Sequence, residues 1–495
     1  MKNRKVILIM TDSQRWDMVN CYRETGLKTP NLDALAAGGT RFNRAYTTQP
    51  VCQPARAGIF TGQFPHSVSG WTNSMAICDN VHTLGERLQD QGIHTAYIGK
   101  WHLDGGDYFG LGRCPKGWDA RYWYDMKNYL DEMTPEDRLR SRQTARMDTE
   151  EFTADFTYAH KVGNRAVDFL EKFGQEDFFL TVSYDEPHDP YICPPPYAHM
   201  YDDYCFPKSK NIWDTLEDKP DFQRAWAGDG LQRDNDALQI RRPYFFGCNS
   251  FADEEIGRVI RAADTYAPDA VIIYTSDHGD FLCSHGLNGK GPAAYDEITR
   301  IPLIIRGKDL PAGVVNSHPV SHINLAPTIM ELMGFPVPHV YEGQSILPEL
   351  LDPTRRTNEY VFMEFGRYEV DHDGFGGFQP MRAVFDGRYK LAVNLLSTDE
   401  LYDLETDPEE MVNLLHSEAH TAIRDRLHNA LLDHMNTTRD PFRGYYWERR
   451  PWRGDAAPAT WAYTGMTRQR DEETYEERQL DYATGLPMES ATRKK

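Results

Sequence analysis

The sequence predicts an α/β fold with a doubly wound, mostly parallel sheet sandwiched by helices, followed by a smaller C-terminal α+β domain with an antiparallel sheet. Short apolar runs alternate with helical segments over roughly the first 365 residues, which is the pattern of successive βα units. After that point, two alternating runs flank an Asp-Gly pair, which indicates a hairpin. At 495 residues the chain is also longer than a single hydrophobic core usually supports.

The first strand is the continuous apolar run Val6–Thr11, which is typical of a central parallel strand. The first helix begins at Thr29-Pro30, with proline at its first position, and ends at Gly38-Gly39. Apolar runs and helical periodicity predict the elements that follow. They are strands over His94–Ile98, Phe178–Tyr184, Ala270–Thr275 and Pro302–Arg306, and helices over Val162–Phe173, Phe251–Ala263 and Ala326–Met333.

The C-terminal region begins with the hairpin Met381–Phe385 and Arg388–Val393, joined by Asp386-Gly387. Leu401–Leu404 adds a strand, and His420–Met435 is predicted to be a helix. We therefore expect a catalytic domain over residues 1–365, a small domain over 366–436 and a tail over 437–495. Because the tail is rich in Arg, Trp and Tyr, we expect it to pack on the body or on a partner subunit, which allows a homo-oligomer. Its aromatic residues are Tyr445, Tyr446, Trp447, Trp452, Trp461 and Tyr463.

The bulk properties exclude several classes of protein. A net charge of −21 argues against nucleic acid and anionic membranes as partners. The eight cysteines form no Cys-x-x-Cys pair, which argues against zinc ribbons and thioredoxins and favours reduced thiols. The apolar run at the start of the chain is too short for a signal peptide, and no stretch approaches the length of a membrane span. We therefore expect a cytoplasmic protein.

Polar side chains follow two of the predicted strands. Asp12 comes directly after the first strand, and Asp277-His278 follows the strand that ends at Thr275. Ligands bind beyond the carboxyl ends of the strands in open α/β sheets, so these groups are expected at one edge. Two carboxylates and an imidazole there indicate a divalent-metal site. Taken alone, each aspartate could equally be a turn former or a helix cap.

The segment Val51–Gly62 carries Cys52, with Pro54 two residues on and Arg56 four residues on. This pattern resembles the sulfatase signature. Further segments resemble sulfatase segments in content and in order, so that the resemblance spans roughly residues 5–415. They are Thr29–Asp33, Thr83–Gly85, Gly99–Leu103, Glu186–Pro190, Asp277-His278, His285–Gly291, Glu400–Leu404 and Asp407-Pro408. The chain is identified as a member of the formylglycine-dependent type I sulfatases of the alkaline phosphatase superfamily.

The resemblance implies that a formylglycine-generating maturation enzyme converts Cys52 to 3-oxoalanine (formylglycine), whose hydrate is the nucleophile. The substrate would be a small sulfate monoester of a sugar or of an aryl or steroid alcohol, and the products would include free sulfate. The implied metal ligands are Asp12, Asp277, His278 and the modified Cys52. The other implied roles are support of the hydrate by Arg56, contact with the sulfate by Lys100, a base at His102, and contact with the leaving oxygen by His188 and Lys290.

Two positions depart from the family pattern. Many sulfatases have aspartate where this chain has Ser13, and asparagine where it has His278. Ser13 or Gln14 could supply the missing oxygen ligand, with Ser13 at the equivalent position. An aspartate followed by histidine also resembles the phosphonate monoester and phosphodiester hydrolases, which use the same modified cysteine. Calcium is therefore the expected metal, and manganese is the alternative.

Three functions follow from these observations: a sulfatase, a phosphonate monoester or phosphodiester hydrolase on the same scaffold, and a catalytically silent anion-binding member. Retention of every expected Lys, His and Asp argues against the third. Trp101 and Arg382 are predicted to bind substrate, although each could instead serve packing. Further pocket candidates are Asp104, Tyr108, Tyr124, and His372 in the glycine-rich loop Asp371–Gly377.

Overall fold

The structure, a computed structural model, describes residues 4–73, 75–106, 108–144, 147, 152–369 and 377–456. The strands are β1 (Lys5–Thr11), β2 (Thr40–Tyr46), β3 (His94–Gly99), β4 (Phe178–Ser183), β5 (Val271–Ser276), β6 (Arg300–Arg306), β7 (Val314–Asn316), β8 (Val320–Ser321), β9 (Val361–Arg367), β10 (Phe378–Phe385), β11 (Tyr389–Asn394) and β12 (Glu400–Asp403). The helices are α1 (Pro30–Ala37), α2 (Cys52–Thr61), α3 (Leu84–Asp90), α4 (Met126–Asp131), α5 (Pro135–Arg140), α6 (Tyr158–Phe173), α7 (Asp221–Ala227), α8 (Pro243–Tyr266), α9 (Asp296–Thr299), α10 (Leu325–Leu332), α11 (Leu347–Leu351), α12 (Thr421–Thr437) and α13 (Tyr445–Glu448).

The larger sheet has eight strands within the described residues, in the order β3-β4-β1-β5-β6-β2-β7, with β8 also paired to β2. Strands β3, β4, β1 and β5 are parallel. Strand β6 is antiparallel to both β5 and β2. The predicted mostly parallel sheet is therefore confirmed, and its four parallel strands all present their carboxyl ends at one edge.

Strand β1 shows why the sheet is covered on both faces. Val6, Leu8 and Met10 contribute to the core on one face, whereas Ile7 and Ile9 contribute to the core on the other. Helices α2, α3, α10 and α11 cover the first face, and α1, α6 and α8 cover the second. A strand buried on both faces needs apolar residues throughout, so polar chemistry is left to the strand ends.

The smaller sheet is fully antiparallel, in the order β12-β11-β10-β9, which confirms the predicted α+β region. One of its faces packs on α12, and the other packs against the larger sheet through residues such as Met363 and Phe365. Strand β9 spans the expected domain boundary at residue 365. Its Glu364 backbone N–H donates to the carbonyl of Thr48 at 2.8 Å, which joins the small sheet to the segment just before Cys52.

Two elements at the centre of the molecule carry no clear sequence signal. Strand β2 mixes polar and apolar residues without regular alternation and lacks a continuous apolar run. Helix α2 contains Pro54 and Gly58, which are poor helix formers. Proline is tolerated because it lies in the first turn. Glycine is required at position 58, because a Cβ there would lie 2.6 Å from the Thr48 hydroxyl oxygen.

The first part of the expected tail packs on the small sheet. Trp447 is buried in the same core as α12, and its carbonyl accepts a hydrogen bond from His428 Nε2 at 2.7 Å. Tyr445 and Tyr446 are exposed. Trp461, Tyr463 and His372, together with most of the loop 371–377, lie outside the described residues. Among the helices that the structure describes, none is both long and apolar enough to cross a bilayer.

Candidate active site

The predicted polar residues meet at the carboxyl edge of the parallel strands. Asp12 follows β1, and Asp277 and His278 follow the neighbouring strand β5. Lys100 and His102 follow β3, which lies two strands away on the other side of β1. All five side chains are buried. The expectation that distant parts of the chain converge at this edge is therefore met for each of them.

Helix α2 delivers two further groups to the same edge. Cys52 is its first residue, and Arg56 lies one turn later on the same face. The Arg56 guanidinium is fully buried and lies 3.1 Å from Oδ2 of Asp12 and 3.1 Å from Oδ2 of Asp277. The Cys52 Sγ atom lies 3.3 Å from His278 Nε2 and 3.6 Å from Asp12 Oδ1.

Asp12, Cys52, Asp277 and His278 bring their ligand-type atoms within 4.8 Å of one another. Arg56 takes the Oδ2 atom of each aspartate and leaves the Oδ1 atoms to face the centre of the group. His278 Nδ1 lies 2.9 Å from the Gly279 carbonyl, which assigns the ring proton to Nδ1 and leaves Nε2 as an acceptor. Two carboxylates and a neutral imidazole nitrogen form a donor set that fits a divalent cation.

Ser13 and Gln14, the two candidates for a further oxygen ligand, have different partners in the structure. The Ser13 hydroxyl donates to Asp12 Oδ1 at 2.8 Å, and its backbone N–H donates to Asp277 Oδ1 at 3.1 Å. Gln14 instead donates to Asn249 at 2.6 Å and accepts from the Tyr274 hydroxyl. Ser13 therefore contacts both carboxylates, Asp12 through its hydroxyl and Asp277 through its backbone N–H, whereas Gln14 contacts neither through the bonds described.

Two lysines surround the Cys52 sulfur with positive charge. Lys100 Nζ lies 2.9 Å from Asp12 Oδ2 and 3.1 Å from Asp185 Oδ1. Lys290 Nζ lies 2.7 Å from Cys52 Sγ and 3.0 Å from His278 Nε2. Burial alone would lower the pKa of Lys100, but Asp12 and then Asp185 raise it well above its ordinary value. Both ammonium groups are therefore charged at neutral pH.

The same field acts on the groups that carry negative charge. Burial and Asp12 would raise the pKa of Cys52, yet Lys290, followed by Lys100, holds it well below its ordinary value. Burial likewise opposes ionisation of Asp12, but the pKa of that carboxyl is held well below its usual range, with Lys100 the strongest cationic neighbour. The site therefore stabilises negative charge at the position of the Cys52 side chain.

Two further histidines, His102 and His188, belong to this group. Neither ring nitrogen of His102 has a hydrogen-bond partner among the described residues, and burial lowers its pKa. His188 Nε2 lies 3.4 Å from Lys290 Nζ, and its Nδ1 lies 2.9 Å from Asp189 Oδ1. Burial and Lys100 would lower the pKa of His188, but Asp12 and Asp189 bring it to about 10. His102 is thus a neutral acceptor, and His188 is a charged donor.

The structure places Trp101 and Arg382, both predicted to bind substrate, against partners other than this group. The Trp101 indole packs in the core, with ring centroids 4.9 Å from Tyr97 and 5.4 Å from Phe60. Arg382 is buried in the small sheet, where its guanidinium binds both carboxylate oxygens of Asp440 at 2.5 and 3.0 Å. Aromatic and cationic residues beside functional motifs can therefore serve packing and internal charge balance.

Asp185 is a site residue that the sequence reasoning missed, and Tyr108 is one that it named only among many pocket candidates. The Tyr108 hydroxyl donates to Asp185 Oδ2, and the Lys100 ammonium lies 4.2 Å from the centre of the Tyr108 ring. Tyr108 also lies 5.0 Å from the His188 ring. Asp185 could have been found, because it follows the buried strand β4 as Asp12 follows β1.

Comparison with known proteins identifies the family. The sulfatase family model matches residues 4–335, and the model of the N-sulphoglucosamine sulphohydrolase C-terminal region matches residues 284–437. The chain belongs to the sulfatase family. This sulfatase is 44% identical over 496 residues to the uncharacterized sulfatase YidJ of Escherichia coli K12, covering 99% of this chain and 98% of that protein.

Solved structures agree on the fold of this sulfatase. BT4656 in complex with its substrate D-glucosamine-2-N,6-O-disulfate superposes with a TM-score of 0.71 at 21% identity, covering 90% of this chain and 99% of that one. The phosphonate monoester hydrolase of Agrobacterium radiobacter superposes with a TM-score of 0.73 at 22% identity, covering 88% and 96%. This sulfatase therefore shares its fold both with BT4656 and with a phosphonate monoester hydrolase.

Proposed function

We propose that this sulfatase hydrolyses sulfate monoesters through a formylglycine formed from Cys52. The observation that carries the proposal is the convergence on Cys52 Sγ of a metal-type donor group and the ammonium of Lys290, with Lys100 close by. A neutral cysteine thiol at the start of a buried helix would not explain why so many charged side chains are buried around it. A reacting anion at that position accounts for it.

The metal ligands in this proposal are Asp12, Asp277, His278 and the modified Cys52, with Ser13 contributing the neighbouring oxygen. A divalent cation held there would lower the pKa of the attacking hydroxyl and offset the charge of the sulfate. Calcium suits the carboxylates, and the imidazole of His278 makes manganese the alternative. In both cases the Arg56 guanidinium holds the two carboxylates in place through their Oδ2 atoms.

The remaining residues act on charge and protons. Formylglycine would supply, as its hydrate, one hydroxyl for attack on sulfur and a second whose proton loss expels sulfate. Lys100 and Lys290 hold the sulfate oxygens. His102, which has no fixed partner among the described residues, accepts the proton of the second hydroxyl. His188 donates a proton to the departing oxygen.

The proposed substrate is a sulfate ester of a sugar or of an aryl or steroid alcohol. The sulfated sugar named as the substrate of BT4656 supports the sugar class. A second candidate function is phosphonate monoester or phosphodiester hydrolysis. It is favoured by His278, whose Nε2 lies 3.3 Å from the Cys52 sulfur, and by the likeness to the phosphonate monoester hydrolase.

The first experiment is mass spectrometry of the peptide that contains Cys52, from protein produced together with a formylglycine-generating enzyme. We expect the mass of the aldehyde or its hydrate. An unmodified thiol in fully active protein would overturn the formylglycine proposal. A paired assay then compares 4-nitrophenyl sulfate with 4-nitrophenyl phenylphosphonate, which share a leaving group, and a clear preference for the phosphonate would replace the first function by the second.

A further inference from the structure

A second cleft lies between the larger sheet and the hairpin turn of the small sheet, and none of its lining residues belongs to the group around Cys52. It has a volume of about 320 Å³. Strand β2, the connection that precedes β9, the turn itself and helix α12 each contribute an arginine. The charged and titratable residues that line it are Arg44, His318, Arg356, Asp386, Arg388 and Arg426.

The charge of this cleft is opposite to that of the whole protein. The chain has 75 acidic residues against 54 basic ones, a net charge of −21. The cleft nevertheless gathers four guanidinium groups around one lining carboxylate, that of Asp386. Like charges held close together repel one another unless an anion compensates them. Such a concentration of arginine makes the cleft a local region of positive charge on an acidic protein, where an anion would find favourable interactions.

Two of the four arginines have that partner inside the protein. Arg426 Nη2 lies 2.5 Å from Asp386 Oδ2. Arg388 lies 2.7 Å from Asp403 and 2.9 Å from Glu405. These two guanidinium groups are neutralised by carboxylates, and they form a wall of the cleft without adding an uncompensated charge.

Arg44 and Arg356 differ, because among the described residues they donate only to backbone carbonyls. Arg44 donates to the Gly387 carbonyl. Arg356 donates to the carbonyls of Asn358 at 2.8 Å and of Glu359 and Asp386 at 2.6 Å. These bonds fix the direction of both side chains and leave their positive charges uncompensated. A guanidinium has five N–H donors, so both retain donors for a ligand.

The cleft is well separated from the reacting centre. Strand β10 starts at Phe378, which pairs with Arg367. The next residue, Tyr368, accepts a hydrogen bond through its carbonyl from the backbone N–H of Asn73. The Asn73 side chain in turn accepts from the backbone of Gln53, the residue after Cys52, so this end of β10 lies near the reacting centre. The cleft lies at the other end of β10, after Phe385. Eight residues of strand place the two ends roughly 23 Å apart. A ligand in the cleft would therefore not contact Cys52.

We propose that this cleft is an anion-binding site for a tetrahedral oxyanion, either sulfate or phosphate, free or carried on a small polar molecule. Arg44 and Arg356 are its charged ligands, since the planar fork of guanidinium matches two oxygens of such a group. Arg44 belongs to the larger sheet, and Arg356 is bound to the turn of the small sheet. A bound oxyanion bridges the two and stabilises their contact, which makes the site structural or regulatory rather than catalytic.

The test uses the full-length protein and compares the wild type with Arg356→Gln. The matched control is Arg355→Gln, which removes the same charge one residue away, where the side chain faces Asp352 and does not line the cleft. Inorganic sulfate, inorganic phosphate and glucose 6-phosphate are titrated, with potassium chloride at matched ionic strength. The readouts are the melting temperature and the number of anions bound at equilibrium dialysis.

We expect the wild type and Arg355→Gln to bind one oxyanion more than Arg356→Gln, and to gain melting temperature on binding. Affinity at that site should fall at least about tenfold in Arg356→Gln, as for the loss of a charge-assisted bidentate contact. Tighter binding of glucose 6-phosphate than of phosphate would indicate a carried oxyanion, and equal binding would indicate the free anion. Equal stoichiometry in all three proteins, or an equal effect of chloride, would overturn the proposal.

A second variant distinguishes a loss of anion binding from a folding defect. Arg44→Lys keeps the positive charge and loses the planar fork, so we expect a folded protein with weakened oxyanion binding. Sulfatase activity at low anion concentration should stay at the wild-type level in this variant. Unchanged oxyanion affinity in Arg44→Lys, together with unchanged affinity in Arg356→Gln, would show that both arginines only fasten the turn.

Discussion

Two buried groups among the described residues contain metal-ligand types of residue within 4.8 Å of one another, and only one of these two has the geometry of a site. In the group around Cys52, Arg56 binds one oxygen of each aspartate and leaves the other oxygen facing the centre. The second group consists of His66, Glu364 and Asp440. Here both oxygens of Glu364 are taken by His66, through its backbone N–H at 2.8 Å and through Nδ1 at 2.5 Å.

Arg382 binds the remaining carboxylate of the second group, that of Asp440. Its guanidinium occupies both oxygens of Asp440 and lies 3.9 Å from Glu364. Both groups thus hold two carboxylates and a histidine at close range, and they differ in how an arginine binds the carboxylates. An arginine that binds one oxygen of each carboxylate supports a site, whereas an arginine that binds both oxygens of one carboxylate closes it.

The largest loss of activity is expected when Cys52 is replaced, and no comparable loss is expected at the other cysteines. Replacing Cys52 with alanine should lower kcat/KM by roughly 10⁴-fold or more, the scale seen when a nucleophile is removed. Cys52→Ser should trap or greatly slow turnover, because serine lacks the second hydroxyl. Steady-state assays on the aryl sulfate measure both, with Cys205→Ser at an exposed cysteine as the control. Normal turnover in either Cys52 variant would contradict the mechanism.

The metal content of variants in the two groups tests directly which group holds an ion. We expect one divalent ion per chain in the wild type, almost none in Asp277→Asn, and still one in Glu364→Gln. Activity should fall by roughly a thousandfold in Asp277→Asn, since a bound metal contributes several kcal/mol. Elemental analysis of gel-filtered protein gives the count. A loss of metal in folded Glu364→Gln would mean that the second group, not the first, holds the ion.

The second group, formed by His66, Glu364 and Asp440, should stabilise the folded protein instead of binding a metal ion. Asp440→Asn leaves the buried charge of Arg382 without its carboxylate, which we expect to lower the free energy of unfolding by about 3–5 kcal/mol. The kcat of the folded variant should stay close to that of the wild type. Urea unfolding measures the first quantity, and Asp352→Asn at the exposed Arg355 pair should change it by less than about 0.5 kcal/mol. Loss of activity without loss of stability would assign Asp440 to the site.

The smallest expected effect is a pH dependence of the stability that His66 contributes within the same group. Burial would lower the pKa of His66, but Glu364, and then Asp440, raise it above its ordinary value. A raised histidine pKa stabilises the folded state fully below about pH 6.5, and that stability is lost as the pH rises through the folded-state pKa. The difference in unfolding free energy between the wild type and His66→Gln should therefore shrink from pH 6 to pH 9. A difference that grows with pH would contradict the assignment.

Much of the larger sheet could be predicted from the sequence, because strands such as Val6–Thr11 are buried on both faces and so read as apolar runs. Strand β2 and helix α2 could not be predicted. Strand β2 mixes charged and apolar residues, and α2 contains Pro54 and Gly58, whose fit depends on contacts with distant residues such as Thr48. Tertiary contacts override local propensity in both elements.

The same limit applies to the site. Residues that sit directly after buried strands, such as Asp12 and Asp277, are placed correctly because the topology fixes where strands end. The core packing of Trp101 could not be predicted, because the direction of a side chain at a strand end depends on what fills the core behind it. Arg382 shows the corresponding limit for charge, since its partner Asp440 lies 58 residues away in sequence.

The hydrogen bond from the Glu364 backbone to the Thr48 carbonyl has a consequence for how the protein melts. Thr48 lies four residues before Cys52, so the strand that opens the small sheet also fastens the segment that carries the reacting side chain. Heat that detaches the small sheet would release that segment as well. Calorimetry should then show one cooperative transition, with activity disappearing at the same temperature. We therefore expect that a protein without the C-terminal sheet would lose activity even though the reacting residues all belong to the larger domain.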